Sequence, residues 1–513
     1  MVRQILTRLI PIALIGLGAG CATNPVTGKS DFMVVSEAQE LELGKQNFAP
    51  MQQAQGGTYD VDPELTQYVQ QVGNKLAAVS DRPLPYEFVV LNNSVPNAWA
   101  LPGGKIAVNR GLLMELNSEA ELAAVLGHEI VHAAAKHSAK QMSRGVLLQG
   151  AVLTTAVMAG GSDYGELAVG SAAVGAQLLN STYGRSAELE SDQYGMTYMS
   201  RAGYDPSGAI TLQETFVRLS EGQNSDWFTG LFASHPPSQS RVDANVRTAA
   251  SLPAGGVLGV DSFVAAMKKT RVALPAYEAY DEGRKALADK NNDEALALAG
   301  KAIKLFPAEA HFYALRGDVR QASEKYDMAV TNYDSAIRRR DDYFYYYLQR
   351  GIAKNELGST DSAVSDLERS IEMLPTAPAH YTLGNIEAGR DNADSAIEHY
   401  KIVAKAGGEY GKTASDKLIA LELPRNPAAY VPYRCYADSS GNLVVAIMNE
   451  STVAIHNVQF AVSYTDNAGV QRQLKKIVPW RLEASQVRSV ATDLGPYTGA
   501  TCPVTILAAE LAD

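Results

Sequence analysis

The sequence predicts a multidomain chain in three fold classes: a mixed α+β domain, an all-α superhelix of repeats and a small all-β sandwich. Three observations support this. Between about residues 30 and 255, helical periodicity alternates with short apolar strands. From Gly283 onward a repeat of about 34 residues sets in, and after Pro424 the pattern becomes strand-like alternation between turn residues. At 513 residues and 46% hydrophobic composition, the chain is long enough for each segment to bury its own core.

The chain opens with Arg3 and Arg8, an apolar run over residues 9–17, and small residues before Cys21. This reads as a signal peptide over residues 1–20, because the run is too short to span a membrane. Leu17-Gly18-Ala19-Gly20-Cys21 resembles a lipobox, whose cysteine is lipidated, although the leucine stands one position further from Cys21 than usual. Ala22 follows where inner-membrane retention would show aspartate. The expectation is therefore a periplasmic protein held by an N-terminal lipid at the outer membrane, the alternative being ordinary cleavage and a soluble periplasmic protein. Loss of Arg3 and Arg8 takes the formal charge from −11 to −13, which argues against nucleic acid or anionic lipid as partners. With Cys21 assigned to lipid, Cys435 and Cys502 remain as an even pair in an oxidising compartment. They are either a disulfide or two separate buried thiols.

In the α+β segment, residues 86–91 and 105–109 read as buried strands. Between them, Asn97-Ala98-Trp99-Ala100-Leu101-Pro102-Gly103-Gly104 suggests a strand turned at the edge of its sheet. Such an edge can hold an extended peptide by main-chain hydrogen bonds; the alternative is a plain hairpin corner. Ser118-Glu119-Ala120-Glu121 reads as a capping box, opening a buried helix with apolar Leu122, Val125, Leu126, Ile130 and Val131. This helix contains His128-Glu129-Ile130-Val131-His132.

Residues four apart share a helix face, so His128 and His132 point their rings at one spot. Glu129 sits about 100° round, within reach of a water on a metal without ligating it. The spacing is that of zinc peptidases and predicts a zincin-like domain over residues 30–255 with one Zn2+ per chain. A third protein ligand is required. The metzincin solution is excluded, because Ala135 and Ser138 stand where glycine and histidine would be needed. On a continuing helix His137 falls nearly opposite His128, which gives it a helix-surface or supporting place. Two apolar stretches, residues 146–158 and 167–179, are each shorter than the roughly twenty residues of a membrane span. They predict either a buried or membrane-resting hairpin over the active site, or core packing.

Downstream, Arg185-Ser186-Ala187-Glu188-Leu189-Glu190-Ser191-Asp192 resembles the second signature of the HtpX/BepA-type zinc metallopeptidases, with Ser191 in place of the usual alanine. Residues 95–104 resemble the stretch preceding that family's metal helix. Ser234-His235-Pro236-Pro237 through Arg241-Val242 resembles its closing motif, and Asn24-Pro25-Val26-Thr27-Gly28 after Cys21 is similar to its lipoprotein members. The resemblance covers most of residues 30–250. It implies Glu188 as third zinc ligand and Asp192 as a carboxylate orienting a ligand histidine, and leaves Glu190 as a surface carboxylate. Glu129 is then the general base, and His235 or Tyr183 a donor to the carbonyl oxygen. His235 has a second possible role, filling the open metal position at rest.

The implied function is a periplasmic zinc endopeptidase that degrades or processes misfolded or stalled outer-membrane proteins. Its substrates are polypeptides, and its repeats contact outer-membrane assembly proteins or substrate. The competing reading is a non-enzymatic chaperone or scaffold, against which stands the intact Glu129.

Gly283, Gly317, Gly351 and Gly384 are separated by 34, 34 and 33 residues, and Ala295, Ala329, Ala363 and Ala396 keep the same steps. This is the tetratricopeptide period, and it predicts about four helix pairs over residues 275–420 with a concave face. Pro307 and Pro375 end their repeats, with Asp341 in the equivalent place of the second. Tyr313 and Tyr347 stand where tryptophan is usual. The aromatic run Tyr343-Phe344-Tyr345-Tyr346-Tyr347 either lines a peptide groove or, as favoured here, packs between helices. Residues 425–513 read as the sandwich, with strands at 443–448 and 458–464 and a turn at 466–469; no function is legible there.

Overall fold

The computed structural model describes residues 21–149, 183–222, 235–465, 469–497 and 502–512. The signal peptide, residues 150–158 of the first apolar stretch, all of 167–179, Ser234 and the turn residues Asp466, Asn467 and Ala468 lie outside them. The chain divides into two compact units, one ending at Thr376 and one starting at Ala377.

In the first unit, β1 (Cys21–Thr23) pairs antiparallel with β2 (Ser30–Phe32), followed by α1 (Glu37–Ala54) and α2 (Pro63–Ala77). Next come β3 (Glu87–Leu91), β4 (Ala98–Leu101) and β5 (Lys105–Asn109), in spatial order β3-β5-β4. The two strands expected at residues 86–91 and 105–109 are β3 and β5, which run parallel. Ala98–Leu101 pairs antiparallel with β5 as an edge strand, Ala98 opposite Val108. Gly103 and Gly104, at φ +77° and +82°, turn the chain where a side chain would be strained.

A short helix, α3 (Arg110–Glu115), leads to α4 (Glu119–Ala134), whose residues are all buried. The Ser118 hydroxyl accepts from the Glu121 amide, one half of the expected capping box. The Glu121 carboxylate accepts instead from the Asn117 amide and the Thr211 hydroxyl, so the reciprocal bond moves one residue upstream. α4 stops because Lys136 adopts φ +59°, and α5 (His137–Gln149) starts in a new direction. Then follow α6 (Arg185–Arg201), α7 (Ser207–Gly222), α8 (Gln239–Ser251) and α9 (Val260–Ala266).

Gly127 on α4 faces Gly195 on α6. A Cβ on Gly127 would lie 3.0 Å from the Gly195 carbonyl oxygen, and one on Gly195 3.0 Å from the His128 amide nitrogen. The two backbones approach this closely only because neither residue has a side chain.

Three helix pairs complete the unit: α10 (Lys268–Ala288) with α11 (Asn292–Leu305), α12 (Ala310–Ala322) with α13 (Tyr326–Ile337), and α14 (Phe344–Glu356) with α15 (Thr360–Met373). The periodic glycines explain themselves: a Cβ on Gly317 would lie 2.6 Å from the Tyr333 ring, and one on Gly351 2.9 Å from Leu367. Tyr343, Phe344 and Tyr346 are buried, so most of the aromatic run packs between elements.

This repeat region also docks on the segment around the β-sheet. Asn92 and Tyr277 donate to the buried Glu309 carboxylate, and the Arg110 guanidinium lies 3.5 Å from the centroid of the Tyr277 ring. His311 bonds the Gly56 carbonyl and Arg340 the Thr58 carbonyl.

The second unit holds α16 (Ala377–Gly389), α17 (Ala393–Ala404) and α18 (Gly408–Glu422), followed by two three-stranded antiparallel sheets. One is ordered β10-β7-β6 and the other β11-β8-β9, from β6 (Tyr433–Ala437), β7 (Leu443–Met448), β8 (Ile455–Thr465), β9 (Gln471–Val478), β10 (Val487–Ala491) and β11 (Val504–Leu511). Leu443, Val445 and Ile447 of one sheet share a core with Val458, Phe460, Val462 and Ile506 of the other. A disulfide joins Cys435 on β6 to Cys502 just before β11, with Cα atoms 5.5 Å apart. Among the described residues no helix is long and apolar enough to cross a membrane.

Candidate metal centre

Helix periodicity places His128 and His132 together, and their Nε2 atoms are 3.0 Å apart. The close α4–α6 approach at Gly127 and Gly195 then brings in Glu188 from the first turn of α6. Its carboxylate oxygens lie 3.5 Å from His128 Nε2 and 3.4 Å from His132 Nε2. His235, just ahead of α8, completes the group, its Nδ1 3.3 Å from His128 Nε2 and 3.0 Å from Glu188 Oε1. One donor atom from each of these four residues lies within 4.8 Å of all the others.

A tetrahedral ion with bonds of about 2.0–2.1 Å separates its ligand atoms by about 3.3 Å, close to the spacings found here. The donor set of three imidazoles and a carboxylate suits such an ion. Glu129 is 3% exposed, and its Oε1 lies 3.7 Å from His235 Nε2. Burial raises its pKa, an effect that His235 and His128 only partly offset.

Asp192, one turn beyond Glu188 on α6, accepts from His128 Nδ1 at 2.9 Å. Arg241 on α8 grips the same carboxylate with two bonds of 2.7 Å and reaches Glu188 Oε2 at 3.1 Å. Burial alone would raise the Asp192 pKa; Arg241 and then His128 outweigh it and hold the group below its ordinary value. Sequence reading placed Arg241 in a motif without a role. A lone arginine on a polar helix offers no signal that it faces two buried acids.

Tyr183 packs against His132, ring centroids 4.0 Å apart and planes tilted by 33°, with its hydroxyl bonded to Ser138 at 2.8 Å. Two expectations change. His137 does not continue α4; the Lys136 kink turns it back, and its ring centroid is 4.9 Å from that of His132. Glu190 is not a free surface carboxylate, since it is bonded by Asn24 and by His137. Beside His128 and Glu129 opens a pocket with apolar walls from Leu112, Val125, Met196, Leu212 and Phe216.

Comparison with known proteins adds a family. Residues 63–248 match Peptidase family M48. The chain is 30% identical over 199 residues to a putative beta-barrel assembly-enhancing protease of Vibrio cholerae, covering 37% of this chain and 40% of that protein. It is 26% identical over 387 residues to the beta-barrel assembly-enhancing protease of Yersinia pestis, covering 70% and 79%. It is also 36% identical over 189 residues to the mitochondrial metalloendopeptidase OMA1 of Schizosaccharomyces pombe, covering 34% and 51%. The chain thus spans about half or less of two of these three relatives.

Proposed function

We infer that this chain, whose residues 63–248 match Peptidase family M48, is a zinc-dependent endopeptidase. The observation behind the inference is the convergence of His128, His132 and Glu188 beside the buried Glu129. Zinc held there by His128, His132 and Glu188 would supply Lewis-acid chemistry to the scissile carbonyl and to the attacking water. Glu129 takes the proton of the attacking water and returns it to the leaving amine, a task suited to a carboxylate whose burial favours its protonated form. Asp192, gripped by Arg241, fixes His128 in the tautomer with Nε2 free.

The edge strand β4 offers main-chain hydrogen bonds to an extended substrate, and the apolar pocket beside Glu129 receives a substrate side chain. His235 stands among the four donors, which favours a resting state in which it fills the position that substrate or water later takes. Tyr183, with its hydroxyl on Ser138, is then the candidate donor to the carbonyl oxygen.

The setting is the periplasmic face of the outer membrane, with Cys21 lipidated and the repeats of residues 275–420 contacting outer-membrane assembly proteins or their clients. The lipobox-like sequence supports the anchor, and relatives named for beta-barrel assembly support the substrate class.

The test compares wild type with Glu129→Gln for zinc content and for cleavage of casein and an unfolded outer-membrane protein. The variant keeps its zinc and loses at least about 100-fold in rate, the usual share of a general base. Equal cleavage by both proteins eliminates the peptidase reading.

A further inference from the structure

His137 takes no part in the reaction above, yet it is buried at 5% exposure against the metal group. Its Nδ1 lies 3.0 Å from Nδ1 of His132, and its Nε2 lies 3.3 Å from Glu190 Oε1. Glu190 is held in turn by the side-chain amide of Asn24 at 2.9 Å. The Asn24 Oδ1 accepts from the Val26 and Thr27 amides, so the Asn24-Pro25-Val26-Thr27-Gly28 turn is locked around this residue. The chain reaches this arrangement only through the left-handed Lys136, which breaks the helix one residue before His137.

The hydrogen-bond chain has one consistent polarity. An ionised carboxylate only accepts, so His137 Nε2 donates to Glu190. A neutral imidazole has a single N–H, which leaves His137 Nδ1 as an acceptor. His132 Nδ1 must then be the donor, and the lone pair of His132 sits on Nε2, the atom that faces His128 and Glu188. We propose that His137 and Glu190, braced by Asn24, are a positioning relay that fixes the tautomer of His132 for metal binding. His128 has its own support in Asp192 and Arg241, so each histidine of the pair is oriented from behind by a different carboxylate.

The relay rests on the reading of His132 as a zinc ligand, and its test reads metal affinity rather than peptide hydrolysis. Zinc binding to the full-length protein is measured by competition with a chelator for wild type, His137→Leu, His137→Gln and Glu190→Leu. Folding of each metal-free form is followed by circular dichroism. His137→Leu weakens zinc about 10- to 100-fold, the usual effect of losing such a partner. His137→Gln stays within a few-fold of wild type, because a carboxamide can accept from His132 and donate to Glu190 at once. Glu190→Leu falls between them.

Wild-type affinity in His137→Leu overturns the proposal, as does a His137→Gln variant no better than His137→Leu. If His137→Leu does not fold, Glu190→Leu decides: unchanged affinity there refutes the relay. A wild type that binds zinc but cleaves nothing defeats the peptidase reading alone; one that binds no zinc defeats both.

Discussion

Replacing Arg241 by methionine keeps the length of the side chain and removes its charge. Arg241 makes two bonds of 2.7 Å to Asp192 and one contact of 3.1 Å to Glu188. All three side chains are 3–6% exposed. Removing one partner of such a buried pair costs about 3–5 kcal/mol, because the remaining charge has lost both its water and its counter-ion. The alternative is for Asp192 to take up a proton. From an ordinary value of 3.8, that costs about 4 kcal/mol at pH 7, at roughly 1.4 kcal/mol per pH unit. The two routes agree, so Arg241→Met is expected to lose about 4 kcal/mol in urea denaturation with chelator present. Zinc should reduce the loss by pairing with Glu188. Arg241→Lys, which keeps the charge without the two-pronged grip, should lose roughly half as much. A loss under about 1 kcal/mol in Arg241→Met, or a lysine variant no better than methionine, would refute the account of Asp192 as a carboxylate held ionised by Arg241.

Three further outcomes follow. Cys435→Ser with Cys502→Ser opens a loop of 67 residues, and loop-closure entropy gives an expected loss of about 4 kcal/mol, read from the denaturation of the second unit. Gly195→Ala places a Cβ 3.0 Å from the His128 amide nitrogen, so about 1–3 kcal/mol of stability and part of the zinc affinity should go together; wild-type values for both would deny that the glycine pair sets the site. Burial holds His311 down to about 4 from 6.5. The unfolded chain therefore binds the proton first as pH falls, so stability present above about 6.5 drains away towards 4, by roughly 2 kcal/mol between pH 7 and pH 5. Urea midpoints for the first unit should show this slope, and His311→Gln should flatten it.

How far the site was legible depends on how far apart its parts lie along the chain. His128, Glu129 and His132 sit within one and a half turns of a single helix, where periodicity alone orients them. Glu188 was reachable through a motif, but its arrival beside the histidines depends on Gly127 and Gly195, whose opposition is invisible until two helices pack. His137 stands against His132, as its supporting alternative allowed, but the path that takes it there was not legible: continuing the helix through Lys136 was the natural reading, because lysine rarely adopts φ +59°. Glu190 followed it, since its partners come from positions 24 and 137.

The chain by itself determined the elements with a short repeat or a local signature: the metal helix, the edge strand after Asn97, the 34-residue helix pairs and the alternating strands after Pro424. These follow from backbone geometry and from which side chains share a face. The fold in three dimensions decided which acids stand behind the two histidines, and that Arg241 pairs with Asp192 and Glu188. It also decided that the helix pairs dock on the Gly56–Thr58 and Asn92 segments through Glu309, His311 and Arg340. Those contacts join residues separated by tens to hundreds of positions. Their partners are chosen by burial, which removes water as a competitor and leaves each charge dependent on whatever the packing brings beside it.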